Sequence, residues 1–383
     1  MARKQFTERA RHELIRLCHN GLDSRTFRLE LLKRLGAVIP FDYVYFCTTD
    51  PATQFLTSSV MVEEPPPWTM SVFLENEFLR DDFNKFNDLL RGRRAVGLLS
   101  EATRHELDRS SRYRDMLAPM ALGDELRAIF VANAVCWGTL CLDRERARST
   151  FTPAEAAFLA QLAPHIAEGL RKALLLDSAA TASTPDGPGV LILAPDLSVV
   201  AMTAAAEYWL SELKETERGD RHTLPLTVRS VVAGLFAIER GLVAAEFTPK
   251  VRLRTRSGHW LILYASRLLG TEGQITVVFE IAQPAEIAPL IMQAYDLTKR
   301  EGEVTQCVLL GWSTAEIAAK LYISPNTVQD HLKAIFEKVD VGSRGELARR
   351  IFTRHYQPHL SGGVPVNASG QFTSPVRSSS RLE

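Results

Sequence analysis

The sequence lacks long apolar runs, has few cysteines and carries no excess charge of either sign. No stretch of its 383 residues approaches the roughly 18 uncharged apolar residues of a membrane helix. The N-terminal segment MARKQFTERARHELIR is charged throughout, unlike a signal peptide. Lys+Arg and Asp+Glu number 45 each, which excludes a protein that coats nucleic acid by bulk charge. These absences predict a cytoplasmic protein with no membrane partner.

The sequence also lacks the spacings that metal sites and common enzymes require. Its five cysteines form no C-x-x-C pair and are predicted to be reduced, buried thiols. Cys136 and Cys141 stand five apart in a predicted strand, so they should face opposite ways and not share a metal. His12 and His105 each precede a glutamate, but an arginine stands where a zinc helix needs its second histidine. No nucleophile, base and oxyanion donor assemble, so we predict no enzyme, metal or cofactor.

Residues 1–178 alternate helix and strand patterns. Apolar runs predict strands at 38–48, 55–62 and 96–99. Two further runs, Leu126–Val131 and Val135–Leu142, flank Ala-Asn-Ala, which predicts a hairpin. We therefore expect one domain of mixed helices and strands here.

This segment ends in a well-marked helix. Thr152 and Glu155 form a capping box, with proline at the first helical position. Apolar residues then recur at every fourth position from Phe158 to Leu174, which gives one apolar stripe. The spacing slightly favours a core helix, and dimerisation through this stripe is the alternative.

Residues 178–188 (SAATASTPDGP) are small and contain proline and glycine, as is typical of a linker. A second unit over 179–283 contains strand patterns and a hairpin turning at Ser257-Gly258, which predicts a small α+β domain. Three arginines alternate along one strand of that hairpin: Arg252, Arg254 and Arg256. We expect them to form an exposed or edge-protecting row, with an anion site as the alternative.

Residues 284–356 show no strand pattern. Four hydroxyl caps, at Thr298, Ser313, Ser324 and Ser343, open four successive helices, three of them as S/T-x-x-E boxes. Only three residues, 322–324, separate the second helix from the third, which is the connection of a helix-turn-helix. We predict a connecting helix at 284–296, an all-helical domain at 297–356 and a disordered Ser/Gly/Pro-rich tail at 357–383.

The third helix of this domain has one apolar and one polar face. The apolar residues Val328, Leu332, Ile335 and Val339 should be buried. The opposite face and its flanks carry the candidate DNA-binding residues Asn326, Thr327, Gln329, Asp330, His331, Lys333 and Lys338. Such groups can read base edges and meet phosphates in a major groove. The alternative is a polar face that is merely solvated.

The segment LTKREGEVTQCVLLGWSTAEIAAKLYISPNTVQDHLKAIFEKVDVGSRGELARRIF, Leu297–Phe352, resembles the LuxR-type helix-turn-helix domain of bacterial transcription regulators. The resemblance implies that Gln329, Asp330 and Lys333 read bases. It places Thr327 and Lys338 near phosphates, and Arg344 is a further candidate contact. The fourth helix, with Leu347, Ile351 and Phe352, resembles the dimerisation helix of that family. Asp340 stands where the family commonly has glycine, and we expect the left-handed turn to be kept there.

Residues 27–174 resemble a GAF-type sensory domain, especially as found in actinobacterial LuxR-type regulators. VIPFD at 38–42, GDELR at 123–127 and CWGTL at 136–140 carry this resemblance. The middle domain resembles PAS-like modules through TAAAEYWL at 203–210 and SGHWLILYASRL at 257–268. No ligand follows from either resemblance.

Together these observations predict a multidomain α+β chain: a GAF-like α/β sensor, a small PAS-like α+β domain and a C-terminal four-helix LuxR-type domain. The predicted function is sequence-specific transcription regulation. The expected partners are double-stranded DNA and a second copy, with a small-molecule effector and RNA polymerase as further candidates. The alternative is a ligand- or protein-binding signalling module whose helical domain mainly mediates association. Residues 297–356 carry nine Lys+Arg against seven Asp+Glu, so any DNA affinity depends on placement more than on bulk charge.

Overall fold

The computed structural model describes residues 2–63, 65–176, 184–185, 187–213, 224–243 and 247–355. The predicted tail at 357–383 and most of the predicted linker at 178–188 lie outside these residues. The chain divides into two compact units. The first comprises residues 1–177, 185–256 and 260–282, and the second comprises 178–184, 257–259 and 283–383.

The first part of the first unit is a five-stranded antiparallel sheet with helices. The helices are α1 (Ala2–Cys18), α2 (Ser24–Leu35), α3 (Trp68–Leu79), α4 (Phe86–Arg91), α5 (Leu99–Ala102) and α6 (Pro153–Leu176). The strands are β1 (Tyr43–Thr49), β2 (Leu56–Val60), β3 (Val96–Leu98), β4 (Leu122–Ala132) and β5 (Val135–Glu145), in the spatial order β2-β1-β5-β4-β3. A 3-10 turn (Leu107–Arg109) and a π-helical turn (Tyr113–Leu117) precede β4.

The hairpin between β4 and β5 confirms its predicted turn. Asn133 and Ala134 adopt φ angles of 53° and 62°, the left-handed pair that suits the twist of a two-residue hairpin. The turn pairs Ala132 with Val135. The two longest strands of the sheet therefore lie side by side at its centre.

A bulge in this hairpin overturns the predicted orientation of two cysteines. Val131 pairs with Cys136 while Phe130 pairs with Gly138, so Trp137 is an extra residue on β5. An extra residue breaks the strict alternation of side chains. Cys136 and Cys141 consequently pack in the same buried apolar cluster. Among the described residues, no three His, Cys, Asp or Glu side chains are placed to hold a metal.

Helix α6 begins at the predicted capping box, in which Glu155 Oε2 accepts from the Thr152 amide at 2.8 Å. Its apolar stripe lies in the core of the same chain: Leu162 and Ile166 are each 1% exposed. The helix packs on β4 and on α1. The core-helix interpretation is therefore right, and dimerisation through this stripe is wrong because the stripe is already covered.

The second part of the first unit is another five-stranded antiparallel sheet. Its strands are β6 (Gly189–Leu193), β7 (Val199–Met202), β8 (Lys250–Arg254), β9 (Trp260–Arg267) and β10 (Ile275–Ile281), in the order β7-β6-β10-β9-β8. Helices α7 (Ala204–Leu213) and α8 (Leu226–Glu239) pack on it. The β8–β9 hairpin turns at Ser257-Gly258 as predicted, with Gly258 at φ 89°.

The two sheets of this unit are joined by buried contacts. Phe55, just before β2, belongs to the apolar core of the second sheet. It packs so closely on Gly234 of α8 that a Cβ there would lie 2.0 Å from the phenyl ring. The Ser230 hydroxyl on α8 accepts from the Leu56 amide at 3.1 Å. Any larger residue at 234 would displace the ring.

An ion pair at the same junction corrects the expectation for the arginine row. Arg252 is buried, and its Nη2 atom lies 2.7 Å from Oδ1 of Asp50, which is itself buried. The Arg252 amide also donates to the Asp50 carboxylate, at 2.8 Å. Arg254 donates to the carbonyl of Leu174 at 3.3 Å. The expectation is therefore wrong for Arg252, which neutralises a buried acid next to the other sheet, whereas Arg256 is exposed and β8 lies at the edge of its sheet.

The second unit is helical in its described part. Its helices are α9 (Pro284–Ala294), α10 (Lys299–Leu309), α11 (Thr314–Leu321), α12 (Pro325–Val339) and α13 (Arg344–His355). Leu347 and Ile351 of α13 are fully buried, so these two predicted dimerisation residues face the core of their own chain. None of the helices in the described ranges is long and apolar enough to cross a membrane.

Candidate nucleic-acid interface

Side-chain caps set the start of each helix in the second unit. Glu301 Oε2 accepts from the Thr298 amide at 2.7 Å, and Thr298 Oγ1 accepts in return from the Glu301 amide at 3.3 Å. Ser313 and Glu316 form the same reciprocal pair at the start of α11. Each box satisfies two helix-terminal amides that would otherwise be unpaired. The boundaries predicted from the caps are confirmed.

The connection between α11 and α12 is as short as predicted. Tyr322 ends α11 in the left-handed conformation, with φ 54° and ψ 47°. Ser324 then caps α12, since its Oγ accepts from the Thr327 amide at 3.0 Å. Pro325 occupies the first helical position, where its fixed φ suits the helix. This tight turn fixes the direction of α12 against α11.

Helix α12 has the two predicted faces. Its apolar residues Val328, Leu332, Ile335 and Val339 are all buried, and it packs on both α10 and α11. The opposite face is exposed and carries Asn326, Gln329, Asp330 and Lys333. Because the buried side is anchored at two neighbours, the polar face is presented on a rigid element.

Most exposed polar side chains of α12 are uncommitted, which means that they form no hydrogen bond or ion pair with other described residues. Within the described residues, the side chains of Asn326, Asp330 and Lys333 form no hydrogen bond or ion pair. Gln329 donates from Nε2 to Thr314 Oγ1 at 3.2 Å. Unpaired donors and acceptors on a fixed helical face are what base-edge recognition needs. Gln suits adenine, Lys suits guanine and Asp can accept from cytosine N4.

The flanking residues are already engaged within the unit. Lys338 Nζ lies 2.7 Å from Glu301 Oε2. Burial raises the pKa of Glu301, but hydrogen bonds from Lys338 and Thr298 outweigh it and leave that pKa below its usual value. Thr327 Oγ1 lies 2.8 Å from Ser324 Oγ, and His331 is half-buried. The structure thus separates uncommitted side chains on the outward face from committed ones beside it.

Thr314 is a contact that the sequence reasoning missed. Its Oγ1 accepts from Gln329 of α12 and, at 2.7 Å, from Arg344 Nη2 of α13. Arg344 also donates from Nη1 to the Trp312 carbonyl at 3.0 Å. One hydroxyl therefore links the candidate base-reading face to α13. No spacing rule could have found it, because the residues are 15 and 30 positions from Thr314.

The turn after α12 keeps the left-handed geometry despite lacking glycine. Asp340 has φ 57° and ψ 60°, as the sequence predicts. Its carbonyl accepts from Arg350 Nη2 at 2.8 Å. A cleft of about 630 Å³ lies beside this turn and is lined by residues of α12 and α13, among them Gln329, Lys333 and Arg350.

Comparisons with known proteins agree with this helical geometry. The family model described as bacterial regulatory proteins, luxR family, matches residues 296–351. The chain is 46% identical over 56 residues to the transcriptional regulatory protein UhpA of Escherichia coli, which is 15% of this chain and 29% of that protein. It is 40% identical over 50 residues to the spore germination protein GerE of Bacillus subtilis, covering 13% of this chain and 68% of that protein.

These matches define the C-terminal region as a helix-turn-helix domain of the kind found in bacterial transcription regulators. Through residues 296–351, the chain belongs to the luxR family of bacterial regulatory proteins. The chain spans less than a third of the length of UhpA, so the match covers that domain only.

Solved structures give weaker likenesses over longer parts of the chain. The GAF domain/HD domain protein from Geobacter sulfurreducens aligns at 18% identity and a TM-score of 0.29, covering 38% of this chain and 90% of that one. SdiA from Escherichia coli aligns at 13% identity and a TM-score of 0.31, covering 90% and 96%. The α+β architecture is established by the two antiparallel sheets and the C-terminal helical domain of this structure, and not by these likenesses.

Proposed function

We propose that this protein is a sequence-specific DNA-binding transcription regulator. The outward face of α12 carries the proposal: a capped helix, anchored on α10 and α11, presents Asn326, Asp330 and Lys333 to solvent without internal partners. The helix would enter the major groove, with Gln329, Asp330 and Lys333 at base edges. Membership of the luxR family over 296–351 supports the same reading.

The flanking residues would position the helix on the duplex. Thr327, His331 and Lys338 lie at the edge of the outward face, and Arg344 of α13 donates to Thr314 beside it. Hydroxyls and cations in such positions would meet phosphates. Lys338 and Arg344 are bound internally, so each would contribute less to affinity than an uncommitted cation. Their main effect would be to hold α10, α11 and α13 against α12.

The proposed function has three further candidate partners: a second copy of the chain, a small-molecule effector and RNA polymerase. A second copy of the chain would place two α12 helices on two half-sites of an operator. A small-molecule effector would act on the N-terminal sheets, and RNA polymerase is a further candidate contact. This function also fits a cytoplasmic location. The boundaries 1–178, 179–283, 284–296 and 297–356 remain the proposed division into GAF-like, PAS-like, connecting and DNA-binding parts.

A genomic DNA pull-down with the full-length protein tests this function. The purified chain is mixed with sheared genomic DNA from its own source, and the retained fragments are sequenced at moderate salt. We expect a small number of discrete sites that share a motif. The triple variant Gln329→Ala, Asp330→Ala, Lys333→Ala is the matched control, because all three positions are exposed and their loss should leave the fold intact.

The opposite result would favour the alternative function. If the wild type retains no discrete sites, the chain would act as a ligand- or protein-binding signalling module. The helical domain would then serve mainly for association. Equal enrichment by the wild type and the triple variant would show that the outward face of α12 does not read bases.

A further inference from the structure

Gln329 differs from its neighbours on the outward face of α12 because its side chain is already held. Its Nε2 atom donates to Thr314 Oγ1 at 3.2 Å, whereas Asn326, Asp330 and Lys333 are uncommitted. Thr314 is the first residue of α11, so the bond joins the two helices of the helix-turn-helix. One candidate base-reading side chain is therefore tied to a neighbouring helix before any DNA is bound.

The hydroxyl that holds Gln329 is itself fixed by a cation. Arg344 of α13 donates from Nη2 to Thr314 Oγ1 at 2.7 Å and from Nη1 to the Trp312 carbonyl at 3.0 Å. A guanidinium group has donors only, so the Thr314 oxygen is the acceptor in its bond to Arg344. A hydrogen bond from a charged donor is stronger than one between neutral groups. The half-buried Thr314 hydroxyl is therefore held in one position.

The hydrogen-bond capacity of these groups decides what Gln329 can still bind. A hydroxyl oxygen accepts two hydrogen bonds, and Arg344 and Gln329 supply both. A glutamine amide has two N–H donors and one carbonyl acceptor, so the bond to Thr314 uses one of its two N–H groups. One N–H group and Oε1 remain. This remainder is the donor and acceptor that N7 and N6 of adenine require in the major groove.

The bond to Thr314 also works against the other purine. Guanine presents two acceptors, N7 and O6, in the major groove. Gln329 could satisfy both only by giving each an N–H group, and one of its two is already engaged by Thr314. A free amide could also exchange the positions of its oxygen and nitrogen by rotation, but here that rotation would break the bond. The tied amide therefore favours adenine over guanine more than a free glutamine would.

We propose that Thr314, fixed by Arg344, is a positioning residue that directs Gln329 to adenine at one position of the operator. Thr314 acts through the Gln329 amide and needs no contact of its own with the DNA. The order lost by the glutamine side chain is lost during folding, so binding does not have to supply it again. This inference rests on the proposed function, since it concerns how the outward face of α12 reads bases.

Selection of bound duplexes from a randomised pool by the full-length protein tests the proposal. Gln329→Ala identifies the base position that Gln329 reads, because preference is lost there. The wild type should select adenine at that position. Thr314→Val removes the hydroxyl and keeps the shape of the side chain. It should lower the preference for adenine over guanine about two- to tenfold, as expected for one hydrogen bond, and leave the other positions of the motif unchanged.

Thr314→Ser is the matched control. Serine keeps the hydroxyl that accepts from Arg344 and Gln329, so this variant should select adenine as strongly as the wild type does. Thermal denaturation of both variants shows whether α11 keeps its stability. A purely structural role of Thr314 would weaken binding to all duplexes alike and would not change the preference at a single base position.

Three results would overturn this positioning role. They are an unchanged adenine preference in Thr314→Val, equal changes at every position of the motif, and a wild-type preference for guanine or thymine at the Gln329 position. The last would show that the amide is held through its oxygen and presents N–H groups to the base. The proposed function fails in a different way, because the wild type would then select no motif, which would overturn both. A motif that depends on Lys333 and ignores Thr314 would remove this inference alone.

Discussion

Arg127 on β4 and Lys333 on α12 are both cations, yet the fold treats them in opposite ways. Arg127 is fully buried between Glu77 and Glu125, with its guanidinium 4.6 Å from the centre of the Phe86 ring. Lys333 is exposed and has no partner among the described residues. The first charge is part of the structure, and the second is available to a ligand.

The same contrast holds for the neighbours of each residue. Buried acids and bases of the first sheet pair with one another, and these pairs specify which helix covers which strand. On α12 the uncommitted side chains stand on one face, and the committed Lys338 stands beside it. Function in the second unit is therefore expected from the residues that the fold leaves unpaired.

The largest effect should come from breaking the buried ion pairs of Arg127 with Glu77 and Glu125. Arg127→Met leaves Glu77 and part of Glu125 without a counter-charge, which costs about 3–5 kcal/mol for a buried pair. The free energy of unfolding from urea titration, followed by fluorescence, measures it. Arg34→Met is the control: its pair with Glu30 is 3.1 Å long but exposed, so the loss should be below about 1 kcal/mol. Equal losses for the two variants would show that the buried pairs of Arg127 stabilise the fold no more than the exposed pair of Arg34.

The next effect is on DNA binding. Lys333→Ala removes an uncommitted base contact and should weaken binding by about 1–3 kcal/mol, or roughly tenfold to a hundredfold. Lys338→Ala removes a lysine that Glu301 already neutralises, so its effect on affinity should be several times smaller. Fluorescence anisotropy with a labelled operator, repeated at several salt concentrations, measures both. A larger loss for Lys338→Ala would reverse the assignment of committed and uncommitted residues.

The third effect depends on pH. Burial raises the pKa of Asp82, but hydrogen bonds from Arg112 and Asn76 and the charge of Arg112 bring it down to about 2. A carboxyl group whose pKa is lower in the folded state than in the unfolded state stabilises the protein at pH values above its unfolded pKa. This stabilisation is lost as pH falls from about 4 to 2. Asp82→Asn should therefore cost on the order of 2 kcal/mol at pH 7 and progressively less below pH 4. Urea titrations of both proteins across this range measure the difference.

Asp143 should show the opposite sign. Its pKa is raised in the folded state, so the wild type loses stability as pH rises above the unfolded value. Asp143→Asn should then stabilise the protein at pH 7 more than at pH 4. If both variants changed stability in the same direction with pH, the two carboxyl groups would not differ in environment as described.

The smallest effect concerns the turn after α12. Asp340 is held in the left-handed conformation, which glycine adopts with less strain, so Asp340→Gly should gain roughly 0.5–1 kcal/mol. Asp330→Gly, inside the same helix, should lose about 1 kcal/mol. Thermal denaturation of the full chain compares them. A loss at both positions would show that Asp340 contributes more than its backbone geometry.

Local features of the chain could be predicted from the sequence, and long-range ones could not. The caps at Thr298, Ser313 and Ser324 and the turn at 133–134 follow from rules that act over a few residues, and all are confirmed. The partner of Arg252 is 202 positions away, so no spacing rule could identify Asp50. The bulge at Trp137 reversed a cysteine because one extra residue changes which face every later side chain takes.

The candidate site divides in the same way. The outward face of α12 could be predicted because helical periodicity decides which residues are buried. The stripe on α6 could not be assigned by periodicity alone, since a core and a dimer interface need the same spacing. The contact of Thr314 with Gln329 and Arg344 could be recognised only once the packing of α11, α12 and α13 was known.

The central claim is that uncommitted residues on α12 read DNA sequence. Selection of bound duplexes from a randomised pool by the full-length protein tests it most directly. The account predicts a discrete motif for the wild type, with Lys333→Ala losing preference at one base position and Lys338→Ala keeping the whole motif. A motif that is unchanged by Lys333→Ala, or no motif at all, would contradict it.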